Sequence, residues 1–161
     1  MRWQLLDRIV ECEAGMRAVG IKCFTRSESF FQDHFPGMPI VPGVLQIEMI
    51  AQLAGKCIVQ SRNEILPVLG SVKSAKFYQA IKPGDQCFIH IEIKKIASSY
   101  GLAEGYILVD NQKVCSAEIF FGMLPREKLN SESFDDVTKE FKLRKQGENF
   151  HRDIESEGAN P

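Results

Sequence analysis

Apolar and polar residues alternate without a break in the segment CFIHIEI, so that Cys87, Ile89, Ile91 and Ile93 fall on one side and Phe88, His90 and Glu92 on the other. A period of two is that of a strand with one buried and one solvated face. Near the start, LLDRIVECE and RAVGIKCFT are strand-like runs joined through small turn residues around AG, which predicts an antiparallel hairpin. Further on, GLAEGYILV and KVCSAEIFFGM flank DNQK, a second hairpin turn, and PVLGSVKSAKFY runs up to the turn KPGD. About six strands follow from these patterns, in a sheet dominated by antiparallel pairing.

One segment between the strand groups breaks this period. PGVLQIEMIAQLAGKCIVQSR, residues 42–62, opens on a proline and continues in good helix formers. Its apolar residues Val44, Ile47, Ile50, Leu53, Ala54, Cys57 and Ile58 run nearly all the way round the wheel. A helix apolar on every side is a buried one. The predicted class is therefore α+β: a long buried central helix wrapped by a curved antiparallel sheet.

Composition narrows the picture. With 161 residues the chain holds one domain and an appendage, and its net charge of −1 gives no reason to expect nucleic acid or an anionic membrane as a partner. The start lacks the apolar run of a signal peptide and no stretch is long enough to span a bilayer, so the cytoplasm is the expected compartment. Five scattered cysteines without a CxxC pair read as buried, reduced thiols. After FFGMLP the charge density rises, with 16 of the last 36 positions charged. The expected organisation is a domain over 1–124 and a charged extension over 125–161. Within that extension Ser133 as cap, Asp135 and Asp136 in the first turn and Lys142, Arg144 and Lys145 in the last predict a short amphipathic helix over 134–146, with disorder beyond about 148.

Three features near the helix start carry chemistry. Glu48 stands on the buried helix with Val44, Leu45, Ala51, Gln52 and Gly55 as wheel neighbours. Desolvation there favours the neutral acid, and Gln52, one turn on, is placed to hydrogen-bond it. Taken alone, Glu48 also fits a structural polar pair with Gln52, or an exposed position. His34 lies in DHFPGMPIVPG, a loop stiffened by Pro36, Pro39 and Pro42, where a histidine neutral near pH 7 suits a general base. A lone loop histidine equally fits a solvated or capping residue. The third feature is the Pro42–Gly43 helix start, which leaves the Gly43 and Val44 amides as donors for a developing oxyanion. A base, a buried acid and an amide donor between them are what proton transfer beside a thioester or another carbonyl needs. There is no HExxH, no second histidine nearby and no cysteine cluster, so metal binding is disfavoured.

The stretch HFPGMPIVPGVLQIEMIAQLAG closely resembles the defining motif of FabZ-type 3-hydroxyacyl-[acyl carrier protein] dehydratases of the hot-dog superfamily. His34, Glu48, Ala51 and Gln52 occupy its fixed positions, and the likeness extends over about residues 4–124. The resemblance implies a homodimer, commonly built into a hexamer as a trimer of dimers, with His34 of one chain facing Glu48 of the other. It implies that His34 takes the α-proton of a 3-hydroxyacyl thioester, Glu48 protonates the departing hydroxyl, and the Gly43 amide holds the carbonyl. No cofactor is implied beyond the phosphopantetheine arm of an acyl carrier protein, the partner that brings the substrate.

The chain departs from that pattern at three places. Asp33 stands where the family usually has glycine, and Tyr78 and Gln79 stand where it usually has carrier-docking arginines, which leaves docking to Lys73, Lys76, Lys82 or Arg62, or points to a different partner. The start is shortened and a C-terminal extension is added. These differences suit a specialised paralogue. A hot-dog acyl thioesterase and a non-catalytic acyl-binding paralogue are the alternative readings, and the HFPG…PG loop together with the retained His34 and Glu48 argues against both.

Overall fold

The computed structural model describes residues 4–127. Up to Leu124 these residues belong to the first of two units into which the chain divides, and the helix expected over 134–146 lies outside the described residues. The described residues form six strands: β1 (Arg8–Glu13), β2 (Arg17–Cys23), β3 (Ile65–Phe77), β4 (Gln86–Ile96), β5 (Tyr100–Val109) and β6 (Gln112–Pro125). One long helix among the described residues, α1 (Gly43–Ser61), falls between β2 and β3, preceded by a 3-10 turn at Ser29–Gln32.

The strands lie in the order β1-β2-β4-β5-β6-β3, an open sheet whose edges are β1 and β3. The β1–β2, β2–β4, β4–β5 and β5–β6 pairings are antiparallel. Both predicted hairpins form. At the β5–β6 turn Asp110 and Asn111 adopt φ of 50° and 61°, the left-handed pair that a tight two-residue turn requires and that these side chains tolerate.

Helix α1 packs on the face made by Cys87, Ile89 and Ile91, all buried, while Phe88, His90 and Glu92 point to the opposite face. The approach is close. Ile50 of α1 meets Gly105 of β5 where a side chain on the strand would collide with it, and Leu53 sits over Gly20 of β2. Met49, Ile50, Leu53, Ala54, Cys57 and Ile58 are wholly buried by this contact. The helix is not buried all round as its wheel predicted. Val44 is 71% exposed and Ile47, Glu48 and Gln52 are half-buried, because an open sheet of one chain covers only one side of the helix.

The expectation of five buried thiols also needs correction. Cys57, Cys87 and Cys115 are buried, but Cys12 on the edge strand β1 and Cys23 at the end of its neighbour β2 are exposed. All five are free. His90 fills the outer face of the sheet, its ring stacked on Tyr106 at 4.8 Å and an interplanar angle of 4°.

Candidate active site

The loop that carries His34 is anchored by aromatics. Phe30 and Phe31 of the 3-10 turn both pack edge-on against the buried Phe24, at 6.0 and 6.4 Å between ring centres. The His34 amide then donates to the Phe30 carbonyl at 2.9 Å, and the Ile40 amide donates back to the His34 carbonyl at 2.9 Å. Between them Phe35 and Met38 exchange backbone hydrogen bonds of 3.1 and 3.0 Å, with Gly37 supplying the φ of 79° that closes this small loop. The His34–Phe35 peptide is cis, and the two rings stack at 4.2 Å.

His34 Nδ1 lies 3.0 Å from the Ile40 carbonyl oxygen. A carbonyl only accepts, so Nδ1 must carry the proton in the neutral ring. Nε2 is thereby left as a bare lone pair, and it has no partner among the described residues. A half-buried imidazole held in this tautomer can take a proton from a substrate.

Glu48 is held just as specifically. Gln52 Nε2 donates to Glu48 Oε1 at 2.9 Å, and Gln52 Oε1 accepts from the Leu5 amide at 2.9 Å. The segment before β1 therefore fixes the carboxamide, and the carboxamide fixes the acid. Between His34 and Glu48 lies the start of α1. Its N-cap is Pro42, with no side-chain cap, and the first backbone bonds into the helix come from Leu45 and Gln46. The Gly43 and Val44 amides thus have no partner among the described residues, at the positive end of a 19-residue helix. The Gly43 Cα is covered by the ring of Phe77: a Cβ there would meet Phe77 Cζ at 2.8 Å.

The structure brings Glu48 and Gln52 into contact and sets Gly43 and Val44 at the helix end, but no hydrogen bond joins His34 to Glu48 within one chain. A groove of about 1350 Å³ lies elsewhere, on the outer face of the sheet, lined by residues such as His90, Glu92, Glu104, Tyr106 and Glu118. It contains neither His34 nor Glu48. Three of its carboxylates are engaged with lysines, Lys94 bridging Glu92 and Glu104 at 3.0 and 3.3 Å and Lys73 reaching Glu118 at 3.3 Å, and Glu13 pairs with Arg17 at 2.9 Å. Burial pushes the thiols of Cys57, Cys87 and Cys115 up to about 11, 12 and 11, so none is a thiolate nucleophile at neutral pH. Among the described residues no cluster of metal-ligating side chains is present.

Tyr78 and Gln79 are turned to structural use: the Tyr78 hydroxyl is 3.1 Å from Ser116 Oγ, and Gln79 donates to Gln112 at 2.9 Å. Two residues near the site escaped sequence reasoning. Leu5 acts through its backbone, which no side-chain pattern reveals. Gln46 is buried in α1 and donates to the Val41 carbonyl at 3.1 Å, and its only signal was a polar residue inside an apolar run.

One long helix laid on an open, six-stranded antiparallel sheet, with a histidine loop leading into the helix, is the hot-dog fold. Residues 1–118 match the FabA-like domain family. The 3-hydroxyacyl-[acyl-carrier-protein] dehydratase FabZ of Clostridium acetobutylicum is 45% identical over 119 residues, covering 73% of this chain and 84% of that one. The FabZ of Pediococcus pentosaceus is 41% identical over 118 residues, 72% and 79% of the two chains. Among solved structures, the dehydratase heterocomplex ApeI:P from Xenorhabdus doucetiae aligns with a TM-score of 0.57 at 20% identity, over 71% of this chain and 96% of that one. The smu.793 protein of Streptococcus mutans UA159 bound to acetyl CoA aligns with a TM-score of 0.62 at 12% identity, over 78% and 93%. At those identities the two structures speak for the fold alone. The chain belongs to the FabZ-type family of 3-hydroxyacyl-[acyl-carrier-protein] dehydratases.

Proposed function

We propose that this protein removes water from a (3R)-hydroxyacyl thioester carried on acyl carrier protein, giving the trans-2-enoyl thioester during acyl-chain biosynthesis. His34 Nε2 takes the α-proton, and the electrons left behind move toward the thioester oxygen. The Gly43 and Val44 amides hold that oxygen as negative charge grows on it. As the α,β double bond forms the C–O bond at the β-carbon breaks, and Glu48 as the carboxylic acid gives its proton to the leaving hydroxyl, which departs as water. Proton exchange with solvent restores His34 to neutral and Glu48 to its acid form. Proton transfer by side chains suffices, so no cofactor enters.

The observation that carries this reading is the 3.0 Å bond from His34 Nδ1 to the Ile40 carbonyl, which supports the base role by keeping the proton of the neutral ring on Nδ1 and leaving Nε2 as the acceptor. The family resemblance implies that the His34 and Glu48 of one site lie on two different chains, and within one chain no hydrogen bond joins them. Edge strand β3 offers the pairing surface, 13 residues long with Leu69, Val72 and Phe77 each more than a third exposed. The homodimer is the working unit of this proposal, and a trimer of such dimers is its extension. Of the cations suggested for carrier docking, Lys73 is engaged by Glu118 and Arg62 by Glu64 and the Ala97 carbonyl, which favours the exposed Lys76 and Lys82. Cytoplasmic residence belongs to the same reading.

The test is turnover of 3-hydroxyacyl thioesters followed by the ultraviolet absorbance of the conjugated product. Activity in the intact protein and a loss of about a hundredfold or more in His34→Ala and in Glu48→Gln are expected. No turnover of either carrier-linked or coenzyme A-linked substrates by the intact protein would sink the reading.

A further inference from the structure

Gln46 is 3% exposed, the one buried polar side chain of the described core. Its Nε2 donates to the Val41 carbonyl at 3.1 Å, and its Oε1 has no partner. A buried acceptor left unsatisfied lowers stability, and an aliphatic side chain on this face of α1 would avoid the loss. The position of the one bond that Gln46 does make accounts for its presence.

Two consecutive peptide planes join the histidine loop to the helix. The first, Ile40–Val41, carries the carbonyl that accepts from His34 Nδ1, and its N–H donates to the Ile81 carbonyl at 2.8 Å. The second, Val41–Pro42, has no N–H because its nitrogen belongs to proline. No backbone donor reaches its carbonyl either, since the first helical amides, Leu45 and Gln46, both bond to Pro42. Among the described residues Gln46 is therefore the only group that hydrogen-bonds this plane. The plane is also the hinge of the site. On one side it meets the peptide that sets the His34 tautomer, and on the other it meets Pro42, the N-cap behind the Gly43 and Val44 amides.

We propose that Gln46 is a positioning residue for the dehydration: by holding the Val41 carbonyl it locks the base of His34 and the amide donors of α1 in one relative orientation. This rests on the reading of His34 as the base. Gln46 touches no reacting atom and acts through Val41.

The experiment uses the intact protein with Gln46→Met, which keeps length and apolar bulk and removes the donor. The expected result is a kcat lower by about tenfold with KM changed by less than about threefold, because misplacing a base costs rate more than binding. The acidic limb of the kcat/KM profile is expected to shift. The imidazole nitrogen signals of His34 should change from a single Nδ1–H tautomer to a mixture. A kcat within about threefold of the parent, with unchanged His34 signals, overturns the proposal. If the methionine variant does not fold, Gln46→Glu replaces it. Its ionised carboxylate cannot donate, whereas its protonated form can, so activity relative to the parent should recover as pH falls. A flat ratio, or failure of both variants to fold, overturns the positioning role. His34→Ala separates the two readings. Full activity there removes the base assignment itself, whereas a dead His34→Ala beside an unaffected Gln46→Met removes only the role of Gln46.

Discussion

Gly43 is where fold and chemistry are most tightly joined, and Gly43→Ala separates them. A methyl group at this Cα would lie 2.8 Å from Phe77 Cζ, 3.0 Å from Cε1 and 3.3 Å from Cε2, all inside normal contact. Phe77 is 49% exposed at the end of β3, so its ring can swing outward. The stability cost therefore falls near the low end of the overpacking range, about 1 kcal/mol. That lowers Tm by about 4 °C in a domain of this size. The catalytic cost is larger. If the Gly43 and Val44 amides hold the oxyanion as proposed, a methyl at Gly43 crowds the oxygen they bind, and loss of an oxyanion donor costs about a hundredfold in kcat. Adding Phe77→Ala removes the colliding ring, so the double variant should recover most of the lost Tm and little of the lost kcat. Calorimetry and the enoyl absorbance assay read the two quantities. Recovery of kcat to the level of Phe77→Ala alone would refute the reasoning, since the defect would then lie in the displaced ring and not in access to the amides.

Three other outcomes follow from burial and charge. Leu53→Ala empties a wholly buried site over Gly20 and should cost about 3 kcal/mol, read as a drop in Tm of about 10 °C. Native protein should react with a thiol reagent at Cys12 and Cys23 alone, with Cys57, Cys87 and Cys115 reacting only after denaturation, and reaction at all five without denaturant would contradict their burial. Burial on the outer face pulls the pKa of His90 below 6.5, against a smaller upward pull from Glu11. The unfolded chain therefore binds the extra proton first, and stability falls as pH drops from about 6.5 toward the lower folded value. His90→Gln should flatten that part of a Tm-against-pH curve, and an unaltered slope would count against it.

Much of this was legible in the chain because local rules governed it. The alternation around Ile89 and Ile91 marked the buried face of β4, and Asp110–Asn111 marked a tight turn because few residues accept that backbone. His34 and Glu48 stood out as titratable groups in places that restrict them, a proline-stiffened loop and an apolar helix. Long-range facts were not legible. Nothing in PVLGSVKSAKFY says that β3 crosses the molecule to pair with β6 and end as an open edge, since alternation assigns a face and not a neighbour. The half-open side of α1 depends on how far the sheet reaches, so Val44 read as core. The tether from Leu5 to Gln52 uses a backbone amide 47 residues away, and Gln46 read as one polar residue among apolar ones until its bond to Val41 was seen.

The shared site is the central claim, and mixing two inactive variants tests it most directly. Unfolded together and refolded, His34→Ala and Glu48→Gln chains should give about half heterodimers, each with one intact site made of His34 from one chain and Glu48 from the other. About a quarter of the parent activity should return, from two preparations that have almost none apart. A mixture shown to contain heterodimer that stays as inactive as its components would contradict the account, because it would place His34 and Glu48 of each working site on the same chain.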